Sequence, residues 1–86
     1  MNYITRDEAI KLSNLKAVES AENDNAEFHK YDDNETTVVS CGSHGFYDNQ
    51  GFNVTVRVFY EHNRADYDAA EQLDALDWTI AGYIVE

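Results

Sequence analysis

Asp68, Glu71, Asp74 and Asp77 recur at three-residue spacing in the second half of the sequence. On a helix rising about 1.5 Å per residue, this spacing sets a carboxylate about every 4.5 Å along one slowly drifting stripe. An ionised carboxylate only accepts hydrogen bonds, and it can take both prongs of an arginine. The repeat is of the same order as the phosphate spacing along one DNA strand, about 3.4 Å. A second group of acids could supply another row. Between Glu19 and Glu35 there are seven acidic residues, among them Glu22, Asp24, Asp32, Asp33 and Glu35, and only Lys30 opposes them. Between Glu61 and Asp77 there are six, beginning with Glu61, Asp66 and Asp68, and no basic residue follows Arg64.

Other residues with chemical potential lack the company that chemistry requires. Cys41-Gly-Ser-His44 has ligand-like spacing, and His29 and His62 could converge on it. A structural zinc site takes four ligands, usually in paired motifs, and only one pair is present. A Cys41–His44 nucleophile pair would need an oxyanion donor and an orienting group. The acidic surroundings would also push the thiol pKa upward, away from reactivity. Asp32-Asp33-Asn34-Glu35 and Asp48-Asn49-Gln50-Gly51 lack the twelve-residue pattern of a calcium loop. There is no glycine-rich phosphate loop. These residues predict neither an enzyme nor a resident metal or cofactor.

The overall charge points the same way. Seventeen acidic residues face six basic ones, for a net charge of -11 over 86 residues. Such a field attracts basic proteins and repels nucleic acid and anionic membranes. A simpler reading is that the charge only solubilises a small domain. Against it, like charges three and four residues apart on a helix cost a few tenths of a kcal/mol per pair, about 0.2–0.5. Interleaved lysines would give the same solubility without that penalty.

Elements must hold these rows in place. The length predicts one domain spanning 1–86. Thr5 followed by Glu8 forms a capping box, which predicts a helix from about Thr5 to Ala21. Ala9, Leu12, Leu15, Val18 and Ala21 form its apolar stripe, with Lys11 and Lys16 on the wet side. Residues 26–31 and 36–41 read as a hairpin around the Asp32–Glu35 turn. Gly42–Gly45 and Asp48–Gly51 read as further turns. From Phe52 to Tyr60 the chain alternates, with Phe52, Val54, Val56, Val58 and Tyr60 on the core face. Phe59 falls on the opposite face, where it needs a cover or a partner. Glu61–Arg64 reads as a loop, followed by a second helix from Asp66 to about Leu76 with Ala69, Ala70, Leu73 and Leu76 inward. Tyr83-Ile84-Val85 suits a short fourth strand. The expected fold is α+β: a three- to four-stranded antiparallel sheet with two helices packed on one face.

One cysteine excludes an intramolecular disulfide, and neither a leader pattern nor a membrane-length apolar run is visible. A cytoplasmic setting in a bacterial host is the expectation. The glycosylation triplets at Asn34 and Asn53 are then chance matches.

In size, charge and clustered Asp and Glu with Tyr, the chain resembles the small acidic inhibitors that phages and mobile elements direct against bacterial nucleases: antirestriction DNA mimics and anti-CRISPR proteins. The resemblance spans the whole chain and carries no diagnostic motif. It implies a stoichiometric inhibitor of a basic nucleic-acid-binding protein or nuclease complex. Glu22, Asp24, Asp32, Asp33, Glu35, Asp66, Asp68, Glu71, Asp74 and Asp77 would meet that partner, with Phe59, Tyr47 or Tyr31 as an apolar anchor. Phe59 and an edge strand could equally build a homodimer. An immunity or antitoxin protein for a basic toxin would show the same chemistry. A small-ligand module would instead use a pocket near Phe46, Tyr47 and Trp78.

Overall fold

In the computed structural model, residues 2–23, 27–69 and 79–86 are described. Two helices, α1 (Arg6–Leu12) and α2 (Leu15–Glu22), precede three strands, β1 (Glu27–Asp33), β2 (Thr37–Tyr47) and β3 (Asn53–Asn63). A third helix, α3 (Arg64–Ala69), and a last strand, β4 (Thr79–Val85), complete the described elements. The strands form one antiparallel sheet in the order β1-β2-β3-β4. The α+β class is as expected, and the fourth strand is present.

The first helix begins as its sequence requires. Thr5 Oγ1 accepts from the Glu8 N–H at 3.2 Å, and Glu8 Oε1 accepts from the Thr5 N–H at 3.1 Å. It does not continue to Ala21, however. The Ser13 hydroxyl donates back to the Ala9 carbonyl at 2.6 Å, and Asn14 turns extended to cap α2 by accepting from Ala17 N–H. Both side chains compete with the helical ladder for backbone groups, and Asn is among the strongest N-caps. The break redirects the stripe. Ala9, Ala17, Val18 and Ala21 are buried, whereas Leu12 and Leu15 at the elbow are exposed.

Residues 42–45 are not a turn. β2 runs through them and pairs continuously with β3 from Thr37↔Asn63 to Tyr47↔Asn53. The turn at its end is the expected one. Asp48 Oδ1 accepts from the N–H groups of Gln50 and Phe52, and Gly51 sits at φ 82, where a side chain would be strained. Glu61–Asn63 extend β3 instead of forming a loop. Asn63 Oδ1 accepts from Ala65 and Asp66 N–H and starts α3 directly. The inward positions expected at Ala70, Leu73 and Leu76 lie outside the described residues, and Ala69 is exposed.

The sheet has two different faces. On one, α1 and α2 pack Ala9, Ala17, Val18 and Ala21 against Val56, Val58 and Tyr83, with Ile4, Phe46, Tyr60 and Val85 at the margin. Here the alternation of β3 holds, although Phe52 lies outside the core and is exposed. On this side Glu22 joins three elements. Arg6 donates to its carboxylate from Nε at 3.1 Å and from Nη2 at 3.0 Å, and the Tyr83 hydroxyl donates to it at 2.6 Å.

The opposite face carries none of the described helices but has its own small core around Phe59. That ring is 0% exposed, so Phe59 is not the exposed anchor expected from the sequence. Tyr3 covers it at 5.1 Å between ring centroids, and Tyr31 meets it edge-on at 5.0 Å. Two irregularities place these covers. Tyr31 is the extra residue of a β-bulge in β1, between the pairs Lys30↔Ser40 and Asp32↔Val39. A bulge re-aims a side chain, and here it sends both Tyr31 and Asp32 to the helix-free side. Ile4 bridges Tyr83 at the other edge, so its neighbour Tyr3 lies over Gly82, the residue paired with Phe59. A methyl group at Gly82 would overlap the Tyr3 Cβ and Cγ, so glycine is required for this approach.

Candidate acidic interface

Strand register brings the two acidic segments together. Asp33, at the end of β1, stands opposite Val38, which stands opposite His62 of β3. Asp32, Val39 and Glu61 form the next row, all on the helix-free face, and Thr79 of β4 closes it. With strands about 4.8 Å apart, the Asp32 and Glu61 backbones are separated by about 10 Å. The β1–β2 turn with Glu35 and the start of α3 with Asp66 and Asp68 lie at this same end of the sheet, where Thr36 O accepts from Arg64 N–H at 2.9 Å.

Each position has a local cause. Asn34 builds the turn by accepting, through Oδ1, from Thr36 and Thr37 N–H at 2.9 and 2.8 Å, which leaves Glu35 exposed. Asp33 and Asp68 share Arg64, whose Nη1 donates to Asp33 at 2.8 Å and whose Nε donates to Asp68 at 3.1 Å. Nη1 also donates to the Asn34 carbonyl at 3.0 Å, and the Lys30 ammonium stands 3.5 Å from Asp33. The Arg64 guanidinium is correspondingly held more firmly in its charged form, first by its hydrogen bond to Asp68. Asp32, Glu35, Glu61 and Asp66 have no ion-pair partner among the described residues. The local count is six carboxylates (Asp32, Asp33, Glu35, Glu61, Asp66, Asp68) against Lys30 and Arg64, a difference of -4.

The negative field reaches the aromatic cover. The Tyr3 hydroxyl is pushed above its ordinary pKa, first by burial and then by Glu61, Tyr31 and Asp32. Asp32, Glu61 and the two tyrosines therefore share the face of the sheet that carries none of the described helices. Tyr31, half exposed and resting on buried Phe59, can supply the apolar contact that charge pairs on a rim do not.

Five residues expected to meet a partner are thus gathered: Asp32, Asp33, Glu35, Asp66 and Asp68. Glu22 is not with them; it lies on the helical side, bound to Arg6 and Tyr83. Phe59 is internal. Asp24, Glu71, Asp74 and Asp77 lie outside the described residues, so the proposed carboxylate stripe is represented only by Asp68. Sequence reasoning missed Tyr3 as a contributor and left Glu61 out of the face. Glu61 was readable as the residue two beyond Phe59, on the same side of a strand.

The alternative chemistries meet geometric obstacles. Cys41 pairs with Phe59 and His44 with Val56, so the two point to opposite faces of the sheet. Burial raises the Cys41 pKa, partly opposed by Arg57. The His62 ring makes a buried 2.7 Å hydrogen bond with Ser40. The side chain of His29 is outside the described set. Among the described residues, no three His, Cys, Asp or Glu side chains gather to hold a metal. Phe46 and Tyr47 face opposite sides of the sheet, and Trp78, the third member of the expected pocket, is outside the described residues. No described helix is long and apolar enough to cross a membrane. Comparison with known proteins finds no matching family model, no matching curated protein and no matching solved structure.

Proposed function

We propose that this chain is an acidic inhibitor that docks the acidic end of its sheet, with the start of α3, onto the basic nucleic-acid-binding surface of a bacterial defence protein or nuclease complex. The observation that carries the reading is the convergence of two acidic segments, distant in sequence, around the single guanidinium of Arg64. A chain using charge only for solubility has no need to concentrate it at one end. Asp32, Glu35, Glu61 and Asp66 are the carboxylates offered to the partner's lysines and arginines. Tyr31 and Tyr3 supply the apolar contact. Long-range attraction then accelerates encounter at low ionic strength.

Competition tests the reading. The tagged chain is used to capture partners from a bacterial lysate, and double-stranded DNA is added to the washed complex. Release of a captured nucleic-acid-binding protein by DNA is the expected result. Capture that duplex DNA leaves unchanged, at every concentration, contradicts the reading.

A further inference from the structure

Two neighbouring rows of the sheet bear carboxylates on opposite faces, and the cations are on one side only. At Asp33, in the row Asp33–Val38–His62, Arg64 Nη1 donates at 2.8 Å and the Lys30 ammonium stands at 3.5 Å, while Arg64 Nε donates to Asp68 at 3.1 Å. The next row, Asp32–Val39–Glu61, belongs to the other face. Both of its carboxylates are exposed, and neither has an ion-pair partner among the described residues. Asp32 Oδ1 accepts from the adjacent Asp33 N–H at 2.8 Å, which leaves its charge uncompensated. Arg57 is on this same face, four residues before Glu61 along β3, but its Nε is engaged by Glu86 at 3.4 Å.

An apolar bed adjoins this row. Val39, between the two carboxylates, is half-buried. Beside it, buried Phe59 supports Tyr3 at 5.1 Å and Tyr31 edge-on at 5.0 Å between ring centroids. Tyr3 arrives over Gly82 from the β4 edge and Tyr31 from the β1 bulge, so the two rings flank Phe59 from opposite sides. The Tyr31 ring stays 45% exposed. Burial first, and then Glu61, Tyr31 and Asp32, raise the Tyr3 pKa, so both carboxylates and the second ring are within electrostatic reach of one hydroxyl.

We infer that Asp32, Glu61 and the Tyr31 ring form a seat for one arginine side chain; that the arginine comes from a basic protein partner rests on the proposed function. Charge complementarity selects a cation, and geometry selects the guanidinium. The Asp32 and Glu61 backbones are about 10 Å apart, two strand spacings. Two charge-assisted hydrogen bonds of about 2.8 Å through a single ammonium nitrogen join oxygens at most about 5.6 Å apart. A guanidinium reaches further, because it donates from two nitrogens at once, as Arg64 does between Asp33 and Asp68. It is also less strongly hydrated than an ammonium and stacks on aromatic faces, so it gives up less on settling against Tyr31. Its methylene stem can cover Val39.

Titrating the isotope-labelled full chain with N-acetyl-arginine amide, and separately with N-acetyl-lysine amide, tests the seat by amide NMR at one fixed ionic strength. The expected result is saturable shift changes centred on Tyr31, Asp32, Val39 and Glu61, with the arginine probe bound at least about threefold more tightly. Asp32→Asn with Glu61→Gln keeps the size of both side chains and is expected to abolish saturation. Tyr31→Leu is expected to remove the preference for arginine while weak cation binding persists. Asp7→Asn with Glu19→Gln removes two exposed carboxylates from the helices and leaves arginine binding unchanged. No saturable change in the wild type, equal affinity for the two probes, or saturation surviving in the Asp32 and Glu61 double variant overturns the inference. Failure of the probe while a lysate partner is still captured and released by DNA overturns the seat alone. Binding of the probe without any DNA-displaceable partner overturns the proposed function and leaves the seat standing.

Discussion

Arg64, at the first position of α3, donates from Nη1 to Asp33 Oδ2 at 2.8 Å, joining the end of β1 to the start of the third helix. The contact spans 31 residues of sequence and ties one acidic segment to the other. It is also open to solvent, with side-chain exposures of 37% and 36%. An ion pair this exposed contributes modestly, about 0–1 kcal/mol. Arg64→Gln is accordingly expected to lower unfolding stability by no more than about 1 kcal/mol, and by less as salt is added. Chemical denaturation at low and high salt measures both effects.

The Phe59 cover carries more energy. Truncation of a fully buried phenylalanine costs about 3–5 kcal/mol, so Phe59→Ala is expected to bring this small domain close to unfolding at room temperature. Gly82→Ala probes the same cluster without removing an apolar group. Its methyl meets the Tyr3 side chain from the Cβ outward, so the loss is expected to shrink when Tyr3→Gly, which removes that Cβ, is added. A coupling of about 0.5–3 kcal/mol in this double-mutant cycle would be typical of direct contact. Strict additivity would mean that Tyr3 does not pack there.

Acid and alkaline stability follow from Glu22 and Tyr83. Burial alone would raise the Glu22 pKa, but the hydrogen bonds from Arg6 and Tyr83 outweigh it and hold the carboxyl below its ordinary 4.5. A depressed folded pKa contributes stability that is present above 4.5 and lost as pH falls through the folded value. Tyr83 is raised well above 10, chiefly by burial and then by Glu22. Its contribution is intact below pH 10 and is lost as pH rises beyond it. Glu22→Gln is expected to flatten the acid limb of a stability–pH profile, and Tyr83→Phe the alkaline limb.

Cys41 offers a chemical readout of the same face. It is fully buried beside Phe59, and burial raises its pKa. Its thiol is expected to react with a disulfide reagent only through opening of the fold, so the rate should rise in the Phe59→Ala variant. Fast modification of native wild-type protein would contradict the burial.

Period-two alternation made β3 legible in the sequence, because one valine row faces the helices and needs no distant information. The Thr5–Glu8 box was legible for the same local reason. Phe59 was not. Its covers are Tyr3, more than fifty residues earlier, and Tyr31, aimed by a bulge that no local propensity signals. The elbow at Ser13-Asn14 was hidden by the apolar spacing across it, although both residues are ready backbone competitors. The acidic segments were visible as composition, but their meeting depends on the Asp33↔Val38↔His62 register, which only the paired sheet reveals.

The proposed function makes the acidic end the binding face. The most direct measurement is the affinity of the chain for its DNA-displaceable captured partner as a function of salt, for wild type and for Asp32→Lys with Glu61→Lys. Wild-type affinity is expected to fall at least about tenfold between low and high ionic strength, and the charge-reversed variant to lose binding while keeping its fold. Equal affinity at all salt concentrations, or undiminished binding by a folded charge-reversed variant, would contradict the claim.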